Sequence, residues 1–198
     1  MKTAAEVMAH LESGNKRQRE AHRVLLQSEL FSILNEYTPY PAGTVPIDVD
    51  IPGSDLDILC DAEDLDAFER LVTQHYSGMP NFSCQRGVGL ADGHAYVTCS
   101  FQVEDWPVEV FAQSVQVISQ NAYLHMLVEW ELLQLWGAEG HAQIRRLKQE
   151  GLKTEPAFAA VLGLQGDPYM ELLRLARWSR NKLWNWARLQ TSFQKTVK

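Results

Sequence analysis

Gly43-Thr44-Val45-Pro46-Ile47-Asp48-Val49-Asp50-Ile51-Pro52-Gly53-Ser54-Asp55-Leu56-Asp57-Ile58 is the stretch on which the reading of this chain turns. From Pro39 to Pro52 the sequence is punctuated by Gly and Pro and reads as a loop. From Asp55 on, polar and apolar residues alternate as they do along a strand. Asp55 and Asp57 are two apart, so their side chains leave one face while Leu56 and Ile58 take the other. Two carboxylates held side by side repel each other unless a cation lies between them. A hard divalent ion that also takes phosphate oxygens, Mg²⁺ or alternatively Mn²⁺, suits that arrangement. A calcium loop does not. Asp48, Asp50 and Gly53 match the first, third and sixth positions of an EF-hand, but Pro52 and Leu59 fall where its fifth and twelfth ligands belong.

A third carboxylate would complete a two-metal site, with ions roughly 3.5–4 Å apart stabilising the attacking and leaving oxygens of a phosphoryl displacement. Glu109, a lone acid between Val108 and Val110, is the best candidate. Upstream, Gly43-Thr44 offers a hydroxyl and a backbone that lets main-chain amides come close to a phosphate. Strands are expected over Leu56–Cys60, Phe82–Leu90, His94–Val103 and Pro107–Phe111, with a helix at Ala62–His75 between the first two. Two helices are expected between Thr3 and Tyr37, with Asn15 as a cap. Helices follow at Ala122–Trp136, Gly140–Glu150, Pro156–Leu164 and Pro168–Leu189, the last opened by the Asp167-Pro168 pair. Strands and helices segregated in this way predict an α/β or α+β fold, a small mixed sheet with flanking helices and a helical C-terminal part. The expected division is an N-terminal region 1–118 and a helical region 119–198.

Gly43-Thr44, then Asp55-Leu56-Asp57, then a later strand acid at Glu109 resembles the polymerase-beta-like nucleotidyltransferase pattern of Gly-Ser, Asp-x-Asp and a third carboxylate. Gln120-Asn121-Ala122-Tyr123-Leu124-His125-Met126, Gly151-Leu152-Lys153-Thr154-Glu155-Pro156-Ala157-Phe158 and Gly166-Asp167-Pro168-Tyr169 are similar to an uncharacterised bacterial family of that superfamily, domain of unknown function 4269. The resemblance implies that Gly43 and Thr44 hold the nucleotide phosphates and that Asp55 and Asp57 hold both metals. It implies that Glu109 holds the second metal and helps to activate the attacking hydroxyl. Thr44 stands in place of the usual Ser, Glu109 in place of the more common Asp, and Asp48 and Asp50 lie in a connection where relatives often carry basic residues.

Composition limits the remaining classes. With 198 residues, 45% hydrophobic and 22% charged, the chain can bury a core. No apolar run approaches the ~20 residues of a membrane span. Met1 to Arg23 is polar, so no secretory signal is expected and a cytoplasmic location is. Cys60, Cys84 and Cys99 lack metal-type spacing and read as reduced thiols, with neither zinc nor a disulfide framework. The net charge of −7 hides an asymmetry, since residues 1–140 carry −14 and residues 141–198 carry +7.

In the basic part Arg145, Arg146, Lys148 and Lys153 cluster, and Lys148 and Lys153 are candidate phosphate ligands. Asn121, His125 and Glu129, four apart, share a helical stripe on which His125 could donate to phosphate; a narrow solvated face fits as well. The last helix mixes Arg and Lys with Trp178, Trp184 and Trp186, able to stack a base but more often a packing pattern. Overall acidity disfavours a broad nucleic-acid surface.

The expected function is transfer of a nucleoside monophosphate from an NTP to a hydroxyl of an unknown acceptor. The alternative is a catalytically degenerate nucleotide-binding or protein-interaction module of the same fold.

Overall fold

The structure, a computed structural model, describes residues 3–190. They form two compact units. The first comprises the described residues up to Pro46 together with Pro52–Tyr123; the second comprises Ile47–Ile51 and the described residues from Leu124 on.

In the first unit, helix α1 (Ala4–Ser13) starts on the Thr3 hydroxyl. Helix α2 (Lys16–Gln27) starts on a capping box, in which the Asn15 side chain accepts from the Gln18 amide and the Gln18 side chain accepts from Asn15. Gln18 is buried because its Nε2 also donates to the Val45 and Pro46 carbonyls, each at 3.1 Å. A short α3 (Leu30–Ile33) follows. Tyr40–Ala42 forms strand β1 inside the segment read as a loop. Three residues with a central Pro show no alternation, and such a strand is tolerated at a sheet edge.

Strand β2 (Leu56–Asp61), helix α4 (Leu65–Tyr76), β3 (Ser83–Val88), β4 (Ala95–Val103) and β5 (Trp106–Gln113) complete one sheet of order β1-β2-β5-β4-β3. β2 runs parallel to β5 and the other pairs are antiparallel. One face carries Ile58, Cys60, Val97, Cys99, Phe101, Val108, Val110 and Ala112, all buried with Phe68 and Val72 of α4. Tyr76 of α4 stacks on Phe101 with ring centroids 4.5 Å apart.

The expectation of three reduced cysteines is corrected: Cys84 and Cys99 form a disulfide, and only Cys60 is free. The two are 15 residues apart in sequence but directly opposite in the β3–β4 register, which the sequence alone does not reveal.

The second unit is helical. α5 (Asn121–Gln149), which begins in the first unit, breaks its helical geometry at Gly137, in keeping with the two helices expected there. Then come α6 (Thr154–Leu162), α7 (Pro168–Ala176) and α8 (Arg180–Ala187). The single last helix expected from Pro168 is in fact two, because Ser179 restarts it by accepting from the Lys182 amide. Leu132, Leu133, Ile144, Phe158, Leu172 and Leu175 are buried. Trp178, Trp184 and Trp186 are half-buried rather than central, with Lys182 4.1 Å above the Trp178 ring and Arg180 4.4 Å above Trp184. Among the described residues no helix is long and apolar enough to cross a membrane.

Candidate functional site

The first unit brings five of the expected residues into one neighbourhood. Asp57 on β2 and Glu109 on β5 are register partners in the parallel ladder, so their side chains leave the same face of the sheet. Asp55 sits just before β2, two residues from Asp57, and its charge reaches Glu109. All three acids are half-buried.

On the other side of β2, Ala42 of β1 pairs with Asp57, and Gly43 turns the chain away with φ +74°. A Cβ at Gly43 would collide with Asp57 Oδ2, so the carboxylate lies directly against the Gly43 backbone. Glycine is required there twice over, by its dihedral and by this close approach. Thr44 follows, half-exposed.

Burial is the main cause of the raised pKa of Glu109, and the Asp55 carboxylate adds to it. The Thr98 hydroxyl on β4 acts weakly in the opposite sense, although its buried oxygen makes no well-formed hydrogen bond. The side chains are carboxylates, a donor type that suits a hard cation; Asp55 opposes the charge of Glu109, and the buried Thr98 hydroxyl beside them has no hydrogen-bond partner. The residues fit a divalent metal in type and in strand position, while among the described residues no three acidic, His or Cys side chains are drawn around one point.

The other expected phosphate ligands belong to the second unit. Lys148 is buried, and its Nζ donates to the Val49 carbonyl at 2.9 Å. Lys153 is exposed at the start of α6. His125 is buried, with Nε2 3.0 Å from the Tyr169 carbonyl and Nδ1 3.5 Å from the Glu155 carboxylate. Asp48 is compensated: Arg145 pairs with its carboxylate, and its carbonyl accepts from Arg145 and from His141 Nδ1, the latter at 3.0 Å. Thr98 was not singled out in the sequence. Its only signal there is the alternation of Tyr96, Thr98 and Ser100, and the register that brings it beside Glu109 is a tertiary fact.

Comparison with solved structures identifies the class of fold. Cid1 poly(U) polymerase, in a crystal structure with Mg 3'-dATP bound, matches with a TM-score of 0.50 at 12% identity, covering 87% of this chain and 52% of that one. A cytoplasmic RNA terminal U-transferase matches with a TM-score of 0.47 at 13% identity, covering 87% of this chain and 50% of that one. The polymerase core of TRAMP, an RNA surveillance complex, matches with a TM-score of 0.40 at 14% identity, covering 89% and 64%. The first of these shows the fold, which is that of a nucleotidyltransferase. The chain spans about half the length of the first matched structures. It belongs to the family described as "Domain of unknown function (DUF4269)", whose model matches residues 23–175. No curated protein matches the chain.

Proposed function

We propose that this protein is a divalent-metal-dependent nucleotidyltransferase that moves a nucleoside monophosphate from an NTP to a hydroxyl of an acceptor. The observation that carries the reading is the Asp57–Glu109 partnership, with Asp55 beside it and Gly43 against Asp57, on a sheet of nucleotidyltransferase fold.

Bound Mg²⁺ or Mn²⁺ would neutralise the phosphate charge and the three carboxylates together. The protein residues divide the remaining work. Gly43 and Thr44 would bind the phosphates through backbone and hydroxyl, and Asp55, Asp57 and Glu109 would hold the metal. Glu109 helps to activate the attacking hydroxyl by taking up its proton. The acceptor oxygen forms a bond to the α-phosphorus, the bond to the bridging oxygen breaks, and pyrophosphate leaves. Positioning and electrostatics supply the rate. Lys148 and His125 are already engaged inside the helical unit, which counts against them as phosphate ligands.

The match to Cid1, a poly(U) polymerase, returns a nucleic-acid 3′ end to the candidate acceptors that acidity had disfavoured. A second reading, nucleotide binding without turnover, draws on the acids not being gathered around one point.

The test is thermal stability with each NTP, with and without Mg²⁺ or Mn²⁺, on the wild type and on Asp55→Asn/Asp57→Asn, with pyrophosphate release measured alongside. A metal-dependent rise in Tm that the variant loses, with pyrophosphate formed in the presence of an acceptor, is expected. A rise in Tm that persists in the variant would remove the carboxylates from the site. Binding without pyrophosphate across an acceptor panel would establish the second reading.

A further inference from the structure

The face of the sheet that carries the carboxylates also carries an aromatic pair. Tyr96 on β4 and Phe111 on β5 stack with ring centroids 5.3 Å apart and planes 29° from parallel. Register fixes where they lie. Ser100 pairs with Glu109, Thr98 with Phe111 and Tyr96 with Gln113, so Phe111 is on the same face as Glu109, two residues or about 7 Å further along the strand.

Both rings are half-buried, although β5 is the middle strand of the sheet and the opposite face, at Val97, Cys99, Val110 and Ala112, is sealed. The Tyr96 phenol lies over β3 at Gly87, where a Cβ would stand 2.5 Å from the phenolic oxygen; the missing side chain makes room for the ring. Gln85, opposite Thr98 on β3, is exposed beside the pair and offers a carboxamide. A ring platform with a hydrogen-bonding amide at its edge fits a nucleobase.

We infer that the Tyr96–Phe111 platform seats the terminal base of a single-stranded nucleic-acid acceptor, with its terminal hydroxyl directed toward Glu109. The order of strands favours the acceptor over the incoming nucleotide. Gly43 follows β1, Asp57 lies on β2, Glu109 on β5 and Tyr96 on β4, in that sequence across the sheet. Across the sheet the acids of β2 and β5 therefore lie between the Gly43–Thr44 phosphate cradle and Tyr96, while Phe111 follows Glu109 along β5. This assignment rests on the nucleotidyltransferase reading, and its test separates the two.

A short single-stranded RNA ending in 2-aminopurine is titrated into the full chain, because stacking quenches that base. Wild type is expected to quench it. Phe111→Leu and Tyr96→Leu should bind about fivefold or more weakly and lose the quench, since stacking contributes ~1–3 kcal/mol per base. Tyr96→Phe keeps the ring and should keep the quench. The Tm rise with Mg²⁺ and NTP should be unchanged in both leucine variants, which also shows them folded. Asp55→Asn/Asp57→Asn should keep the quench while losing the NTP effect, so failure of the metal reading would be seen separately. No quench by the wild type, or an undiminished quench in both leucine variants, overturns the platform. Loss of the NTP effect in folded leucine variants would give the rings to the incoming nucleotide and overturn the acceptor assignment.

Discussion

Glu109 in the sheet unit and Glu129 in the helical unit both have raised pKa values, yet they occupy opposite kinds of surroundings. Glu109 is partly open, lies opposite Asp57 and feels the charge of Asp55. Glu129 is fully buried; desolvation pushes its pKa well up, Glu155 adds to the effect and Lys148 opposes it, while its Oε1 has no hydrogen-bond partner. A carboxylate crowded by other carboxylates where ligand can reach is relieved by a cation. One enclosed within its own unit is relieved by a proton. A raised pKa is thus not by itself the mark of a functional acid, and access and neighbours decide.

The largest effect expected concerns what holds the edge of the sheet. β3 is an edge strand tied to β4 by the Cys84–Cys99 bond, so Cys84→Ser/Cys99→Ser should cost about 3 kcal/mol in urea unfolding, the value for a loop of this length. A loss well under 1 kcal/mol would mean that strand pairing alone secures the edge. Next, Gly43→Ala should cost about 1–2 kcal/mol from the left-handed backbone alone and should abolish the metal-dependent NTP effect by displacing Asp57. Retention of that effect would separate Gly43 from the site.

Glu129→Gln sharpens the contrast directly. Burial raises the folded-state pKa above the unfolded one, so the folded chain keeps a proton that the unfolded chain releases. Stability therefore falls as pH rises from the unfolded value to the folded one, by roughly 1.4 kcal/mol per pH unit in that window, and the cost is complete above it. Glu129→Gln should remove this slope and stabilise the protein at neutral pH relative to wild type, as read from unfolding at several pH values. A slope that persists would locate the titration elsewhere. The smallest effect is expected from Asp55→Asn without metal: relief of its repulsion of Glu109 should raise stability in thermal unfolding by less than about 1 kcal/mol, and added Mg²⁺ should stabilise only the wild type and so reverse the ranking.

Much of the sheet unit was legible because strand chemistry is local. Alternation located β2, and Val, Phe and Tyr between bounding Gly, Asp or Pro located β3, β4 and β5; the two-residue spacing of Asp55 and Asp57 predicts one face for both, although Asp55 lies just before β2. β1 was missed because three residues are too few for a period to show. The helical unit was legible in its caps, with Asp167 accepting from the Met170 amide as its position before Pro168 suggests. Its charges were not. Arg145 and Lys148 read as counter-charges for a triphosphate, and in the structure they hold Asp48 and Val49 of a connection nearly a hundred residues upstream. A basic residue in sequence reveals its charge but not its partner, since the partner is chosen by packing.

By itself the sequence determined the alternation along β2, the caps of the helices and the close spacing of Asp55 and Asp57, all properties of neighbours along the chain. Only the tertiary structure decided that Glu109 stands opposite Asp57, that Cys84 meets Cys99, and that Tyr96 lies on Phe111. Each of these depends on the register between strands. A slip of one residue reverses every face, and burial of the apolar side is what selects among the registers.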